Sequence, residues 1–86
     1  MTAFDERLAG LRARFVARAA QDGVRLRDVA DAGDLAEIRR IAHGLAGTAG
    51  TFGFPQISDA ARAVEEAPGD LRTPLARLLE LLDQPR

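Results

Sequence analysis

Between residues 38 and 54 the chain carries a pattern that leaves its backbone few alternatives. On a projection of about 100° per residue, Ile38, Ile41, Ala42, Ala49 and Phe52 all fall within about 60° of Leu45, forming one continuous apolar face. His43, the only histidine in the chain, lies about 160° from Leu45, flanked by Ala36, Gly47 and Gly50, with Arg39 and Arg40 one turn earlier. The spacing predicts a helix that buries Ile, Leu and Phe and presents an imidazole on a surface stripped of bulk. Interior glycines cost a helix about 1 kcal/mol each relative to alanine, so packing of the apolar face must hold Gly44, Gly47 and Gly50 in place. Small residues around His43 would let a second backbone approach the ring. The competing expectation is a glycine-rich loop over residues 44–53 and an ordinary surface histidine.

The flanking segments repeat the helical period. Thr2 and Asp5 have capping-box spacing, and Phe4, Leu8, Leu11 and Phe15 follow as the apolar side of a first helix. That helix either stops at Asp22-Gly23 or continues, with a kink, through Val24, Leu26 and Val29 to Ala32; continuation is the favoured expectation. Gly33 then ends it and Asp34 caps the next helix, which starts at Leu35 and gives a rod about 25 Å long with His43 near its middle. The Phe54-Pro55 dipeptide separates that rod from a third helix with Ile57, Ala60, Ala61, Val64 and Ala67 inside and Arg62, Glu65 and Glu66 outside. After the Pro68-Gly69-Asp70 turn, Thr73 is the expected cap and Pro74 the first residue of a fourth helix that buries Leu75, Leu78, Leu79 and Leu82. Four amphipathic helices with short connections predict an all-α fold, an antiparallel four-helix bundle, as a single domain over residues 1–86.

Composition narrows the function. With 86 residues and no cysteine, disulfides and thiolate metal sites are unavailable, and packing alone must supply stability. The net charge is −1 and the basic residues, all arginine, are interspersed with acidic ones, which argues against nucleic acid as a partner. No apolar run spans a bilayer and the first residues lack a signal-peptide pattern, so no membrane partner and a cytoplasmic location are expected. One histidine and scattered carboxylates form no zinc or calcium constellation. The Gly-Thr-Ala-Gly-Thr-Phe-Gly run lacks the strand and terminal lysine of a phosphate-binding loop, and no catalytic triad can be assembled. No metal or cofactor is expected.

Ala42-His43-Gly44-Leu45-Ala46-Gly47 followed by Ala49-Gly50-Thr51-Phe52-Gly53-Phe54 resembles the signature helix of histidine-containing phosphotransfer (HPt) domains, whose pattern is His, any residue, Leu, Lys, Gly. The Gly-Thr-Phe-Gly-Phe ending is similar to the phosphorylatable domain of chemotaxis histidine kinases. The resemblance is specific over about 25 residues; elsewhere it rests on helix order and length. It implies an HPt-like bundle in which His43 is the phosphoryl acceptor, with Nε2 the phosphorylated nitrogen, in phosphorelay with a response-regulator receiver domain that supplies Mg²⁺ and the aspartate. A histidine kinase is a second implied partner, and a monomer is expected, although a leucine-rich fourth helix also offers a surface for pairing. The chain would be a stoichiometric carrier and not an enzyme. Asp70-Leu71-Arg72-Thr73-Pro74-Leu75 also looks like the dimerisation helix of sensor kinases, but Gly69 stands where their histidine would be.

One departure bears on the chemistry. The lysine of the family pattern is replaced by Ala46, and the chain has no lysine at all. Arg39 is about 20° from Ala46 on the projection and carries a forked donor set suited to phosphate oxygens. Arg39 is therefore expected to take over the role, with Arg40 second; the alternative is that both are solvated arginines. Phosphoryl transfer is largely positioning and charge neutralisation, and imidazoles at neutral pH are mostly unprotonated and nucleophilic. Arg39, Arg40, Ala46, Gly47, Gly50 and Ala36 thus form the expected phosphoryl-neighbouring or partner-docking surface around His43. A non-transferring receiver- or kinase-binding module on the same fold is the alternative function.

Overall fold

The structure is a computed structural model that describes residues 2–83. Four α-helices follow one another: α1 (Ala3–Asp31), α2 (Leu35–Thr51), α3 (Pro55–Glu66) and α4 (Arg72–Asp83). Each packs against the next and α4 closes on α1, while the diagonal pairs do not meet, so the arrangement is an antiparallel bundle with its core along the central axis. The glycine-rich segment is helical as far as Thr51, with Phe52 and Gly53 in the closing turn, which settles the helix-or-loop alternative in favour of the helix.

The chain punctuates these helices as its turn residues dictate. Thr2 and Asp5 form the expected capping box at the start of α1. At its end Gly33 takes a φ of 73°, and the amides of Gly33 and Asp34 donate to the carbonyls of Ala30 and Val29. That is the double bond pattern of a Schellman motif, which needs a left-handed residue and therefore favours glycine. Asp34 then accepts from the Glu37 amide and caps α2. Gly53, with a φ of 82°, ends α2 in the same way, its amide and that of Phe54 donating to Gly50 and Ala49. Pro55 opens α3 in the first turn, where its missing N–H costs nothing.

The start of α4 departs from expectation. The helix begins at Arg72, and Asp70, not Thr73, provides the cap by accepting from the Arg72 amide at 2.9 Å and from its guanidinium. A carboxylate accepts both bonds at once, whereas a threonine at position 73 already lies inside the first turn. Pro74 accordingly sits in that first turn and not at its first position.

The core contains Phe15, Leu26, Ile38, Leu45, Val64, Leu78 and Leu82, each at most 3% exposed. Phe15 stacks on Phe54 at 4.9 Å between centroids and meets Phe52 at 6.2 Å, closing one end of the bundle. α4 has Leu75, Leu78 and Leu82 buried and Leu79 and Leu81 half-buried against the core. α1 is the exception to the expected apolar pattern. It runs unbroken through Gly23, but Phe4, Leu8, Leu11 and Val24 are exposed. At about 1.5 Å per residue α1 is about 43 Å long against about 25 Å for α2, so its first turns extend past the bundle, and residues 3–14 are all exposed. The overhang stretches the molecule to 45 × 20 × 18 Å and raises its radius of gyration to 13.3 Å, above the roughly 12 Å of a compact chain of this length.

Charged side chains tie the helices at the surface. Arg27 of α1 holds Asp83 of α4 at 2.9 Å, and Arg25 of α1 reaches Glu37 of α2 at 3.0 Å. Glu37 also receives the Arg40 guanidinium, and the bonds from Arg40 and Arg25 lower its carboxyl from the ordinary 4.5 to about 2. A depressed carboxyl stabilises the folded state above pH 4.5 and loses that contribution as pH falls towards 2. Replacement by Glu37→Gln is therefore expected to flatten the melting temperature against pH between those limits, measured by circular dichroism. A methyl group added at Gly23 would meet Leu82 Cβ at 3.6 Å and Arg27 Nη1 at 3.7 Å, ordinary contact distances. Gly23→Ala is expected to stabilise the fold by about 0.5–1 kcal/mol, read by urea unfolding.

Candidate functional site

His43 stands in the third turn of α2, far from either frayed end, with 79% of its side chain exposed. Its outward direction follows from the opposite side of the same helix, where Ile38, Ile41, Ala42, Leu45 and Ala49 are all buried. The ring does not swing freely. Its Nδ1 lies 2.5 Å from Oε2 of Glu65 on α3. A carboxylate accepts only, so a neutral ring in this contact donates from Nδ1 to Glu65 and keeps its lone pair on Nε2.

That contact exists because α2 and α3 approach through small side chains. Ala42, Ala46 and Ala49 of α2 and Ala60 and Ala61 of α3 are all buried, and Ser58 ties the two helices by donating from its hydroxyl to the Ala46 carbonyl at 2.8 Å. Gly50 completes this seam, since a Cβ there would lie 3.4 Å from the Ser58 hydroxyl, tighter than most packed contacts. Two antiparallel helices held at the Ala46–Ser58 level bring residues 39 and 43 of one beside residue 65 of the other. Arg39 confirms this register: half-buried, it donates from Nη1 to the Glu65 carbonyl at 3.4 Å, at the C-terminal end of α3. Cations are favoured at that end of a helix, where carbonyls lack intrahelical partners.

The structure separates the residues that the sequence grouped around His43. Arg39 joins His43 and Glu65 on the α2–α3 side. Arg40 is on the other side of α2, with its guanidinium on Glu37. Ala46, where the resemblance leads one to look for a lysine, is 9% exposed and part of the interhelical seam. Ala36 and Gly47 are exposed on the outward face near His43, and a Cβ at Gly44 or Gly47 would meet nothing within 4 Å. The fold itself therefore does not require glycine at those two positions. Thr48 and Thr51 return hydroxyls to the Gly44 and Gly47 carbonyls at 2.9 and 3.0 Å.

Sequence reasoning missed Glu65 and Ser58. Glu65 was expected outside, with nothing to attract it, and Ser58 drew no notice. The available signal was their spacing of seven, which puts both on one edge of α3; which neighbour that edge meets is decided only by packing. Among the described residues no group of acidic, histidine or cysteine side chains has the arrangement of a metal site.

The tautomer has a direct readout. ¹⁵N chemical shifts of the His43 ring are expected to show a protonated Nδ1 and an unprotonated Nε2 at neutral pH, and Glu65→Ala is expected to move the balance towards Nε2–H, the form free imidazoles favour. Beyond geometry, residues 10–85 match the family model described as Hpt domain. No curated protein and no solved structure matches the chain at a significant level.

Proposed function

The chain belongs to the Hpt domain family, and from that membership we propose that His43 is the atom-bearing centre of its phosphotransfer, accepting and donating a phosphoryl group at Nε2 in exchange with receiver-domain aspartates. The family acts in histidine phosphotransfer within two-component signalling, as phosphocarriers and not as catalysts. The observation that carries the assignment to His43 is the pairing of an outward-facing ring with a carboxylate on its inner nitrogen.

In the forward step the Nε2 lone pair attacks phosphorus of the receiver's aspartyl phosphate. The N–P bond forms, the P–O bond to the aspartate breaks, and the electron pair leaves with the carboxylate. Nδ1 keeps its proton throughout, and Glu65 balances the positive charge that develops on the ring as its second nitrogen is substituted. The receiver supplies Mg²⁺ and the aspartate; the return step is the reverse. Arg39 is the cation of this chain best placed to meet phosphoryl oxygens, since it shares the α2–α3 edge with His43 and its present partner is a backbone carbonyl at 3.4 Å, weaker than the carboxylate that holds Arg40. The low outward face of Ala36, Gly44 and Gly47 suits the approach of a receiver. A histidine kinase is the upstream partner such a carrier needs, and exchange with these partners implies a cytoplasmic location.

The alternative, a binding module without transfer, draws on Ala46, which brings no amine to the site and lies buried in the seam. One experiment separates the two. Incubation with a receiver charged by acetyl phosphate is expected to place acid-labile phosphate on the protein and none on His43→Gln; receiver binding without label in the parent protein would establish the module instead.

Transfer rates in variants test the roles. Arg39→Ala is expected to slow transfer by about tenfold or more, and Arg40→Ala by less than about threefold; equal rates in the parent and both variants would remove the arginine assignment. Gly47→Leu is expected to slow transfer by blocking the docking face while leaving the melting temperature unchanged or raised, because leucine is the better helix former and has open space around it.

A further inference from the structure

The part of α1 that stands clear of the bundle has the design of a docking surface. Phe4 is 71% exposed and Leu8 and Leu11 are each 36% exposed. Their spacing of four and three continues to Phe15 and is the a/d period of a helix-pairing seam. On a projection these residues lie within about 60° of one another, a narrow stripe suited to receiving another helix and not a broad face suited to a lipid surface. The family match begins at residue 10, so the first two turns of this stripe lie outside what the Hpt fold accounts for.

Charge decides what fits. Arg7 flanks the stripe about 70° to one side, with Arg14 just beyond it, and Arg12 flanks it about 70° to the other. Arg7 and Arg14 make no ion pair among the described residues, and Arg12 rests over the Phe54 ring at 4.9 Å. The nearby carboxylates lie away from the Arg7–Arg14 edge: Asp5, in the capping box with Thr2, is on the Arg12 side about 160° from Arg7, and Glu6 points about 170° away from the stripe. A second copy of this chain fits poorly. A parallel pair sets Arg7 against Arg12 of the other copy, and an antiparallel pair sets Arg7 against Arg14, with Asp5 against Arg12 as its one compensating contact type.

We infer that residues 3–14 of α1 form a docking rail for an amphipathic helix of a partner protein whose apolar seam is bordered by acidic residues. At Phe15 the rail runs into the groove between α1 and α2, a cavity of about 320 Å³ that extends to Gly44, the neighbour of His43. A helix seated on the rail therefore approaches the phosphotransfer face from one end without covering it. The inference stands on the α1 overhang alone and holds whether or not His43 carries phosphate.

The test uses the whole protein and two fluorescent three-heptad peptides with leucine at a and d, one with glutamate and one with lysine at e and g. The glutamate peptide is expected to bind, with affinity falling as salt rises, and the lysine peptide to bind at least about tenfold more weakly. Leu8→Glu, Phe4→Ser and the Arg7→Glu/Arg14→Glu double variant are each expected to weaken binding by about tenfold with melting temperatures unchanged, since all these positions are exposed. Equal binding of both peptides, no binding of either, or wild-type affinity in all three variants would overturn the inference. So would a preference for phosphatidylglycerol vesicles over the peptide, which assigns the face to a membrane, or a concentration-dependent dimer abolished by Leu8→Glu, which assigns it to a second copy.

Discussion

The close approach of α2 and α3 is the constraint from which the site follows. Buried alanines on both helices let the backbones come near enough for the Ser58 hydroxyl to reach the Ala46 carbonyl at 2.8 Å. The hydrogen bond is buried and directional, so it selects one axial register where alanine packing alone would tolerate a slide. Once the register is set, the Glu65 carboxylate falls beside His43 Nδ1 and the Arg39 guanidinium falls on the end of α3. Three polar contacts between the two helices thus share one cause.

This seam also gives a physical account of the missing lysine. Position 46 faces α3 and is 9% exposed, within a contact built from methyl groups. Alanine there belongs to the seam that places Glu65, and Arg39, about two turns earlier on the same edge, is the cation that we propose takes over the role. An arginine at position 39 gains a further anchor that a lysine at 46 would not have, the unpartnered carbonyl at the close of α3.

Outside the seam, the molecule divides its labour unevenly. The bundle core is closed at one end by Phe15, Phe52 and Phe54 and tied at the surface by Arg25, Arg27, Glu37 and Asp83. α1 alone outgrows it. Its first turns keep a helical capping box and an apolar stripe but have no neighbouring helix, because α2 ends at Thr51 and the chain turns back into α3. An isolated helical extension of this length is marginal in water, and continuity with the packed part of α1 is what holds it in helical form.

Local chemistry was legible from the residues. The fold class, the limits of α2, the glycine ends of α1 and α2, the capping box and the outward direction of His43 all depend on periodicity or on residues adjacent in the chain, and they follow from sequence by itself. What tertiary structure decided was anything requiring knowledge of a neighbour. Phe4, Leu8 and Leu11 have the same apolar period as Phe15, and only the length of the opposing helix determines that they stay exposed. Thr73 reads as the cap of α4, and the geometry of the turn gave that part to the Asp70 carboxylate instead. Glu65 reads as a solvated charge until α3 is set against α2 in one register. A single chain encodes which side of each helix is apolar, but the distance between two helices is a property of both surfaces together, and the hydrogen-bonded partner of His43 is fixed by that distance.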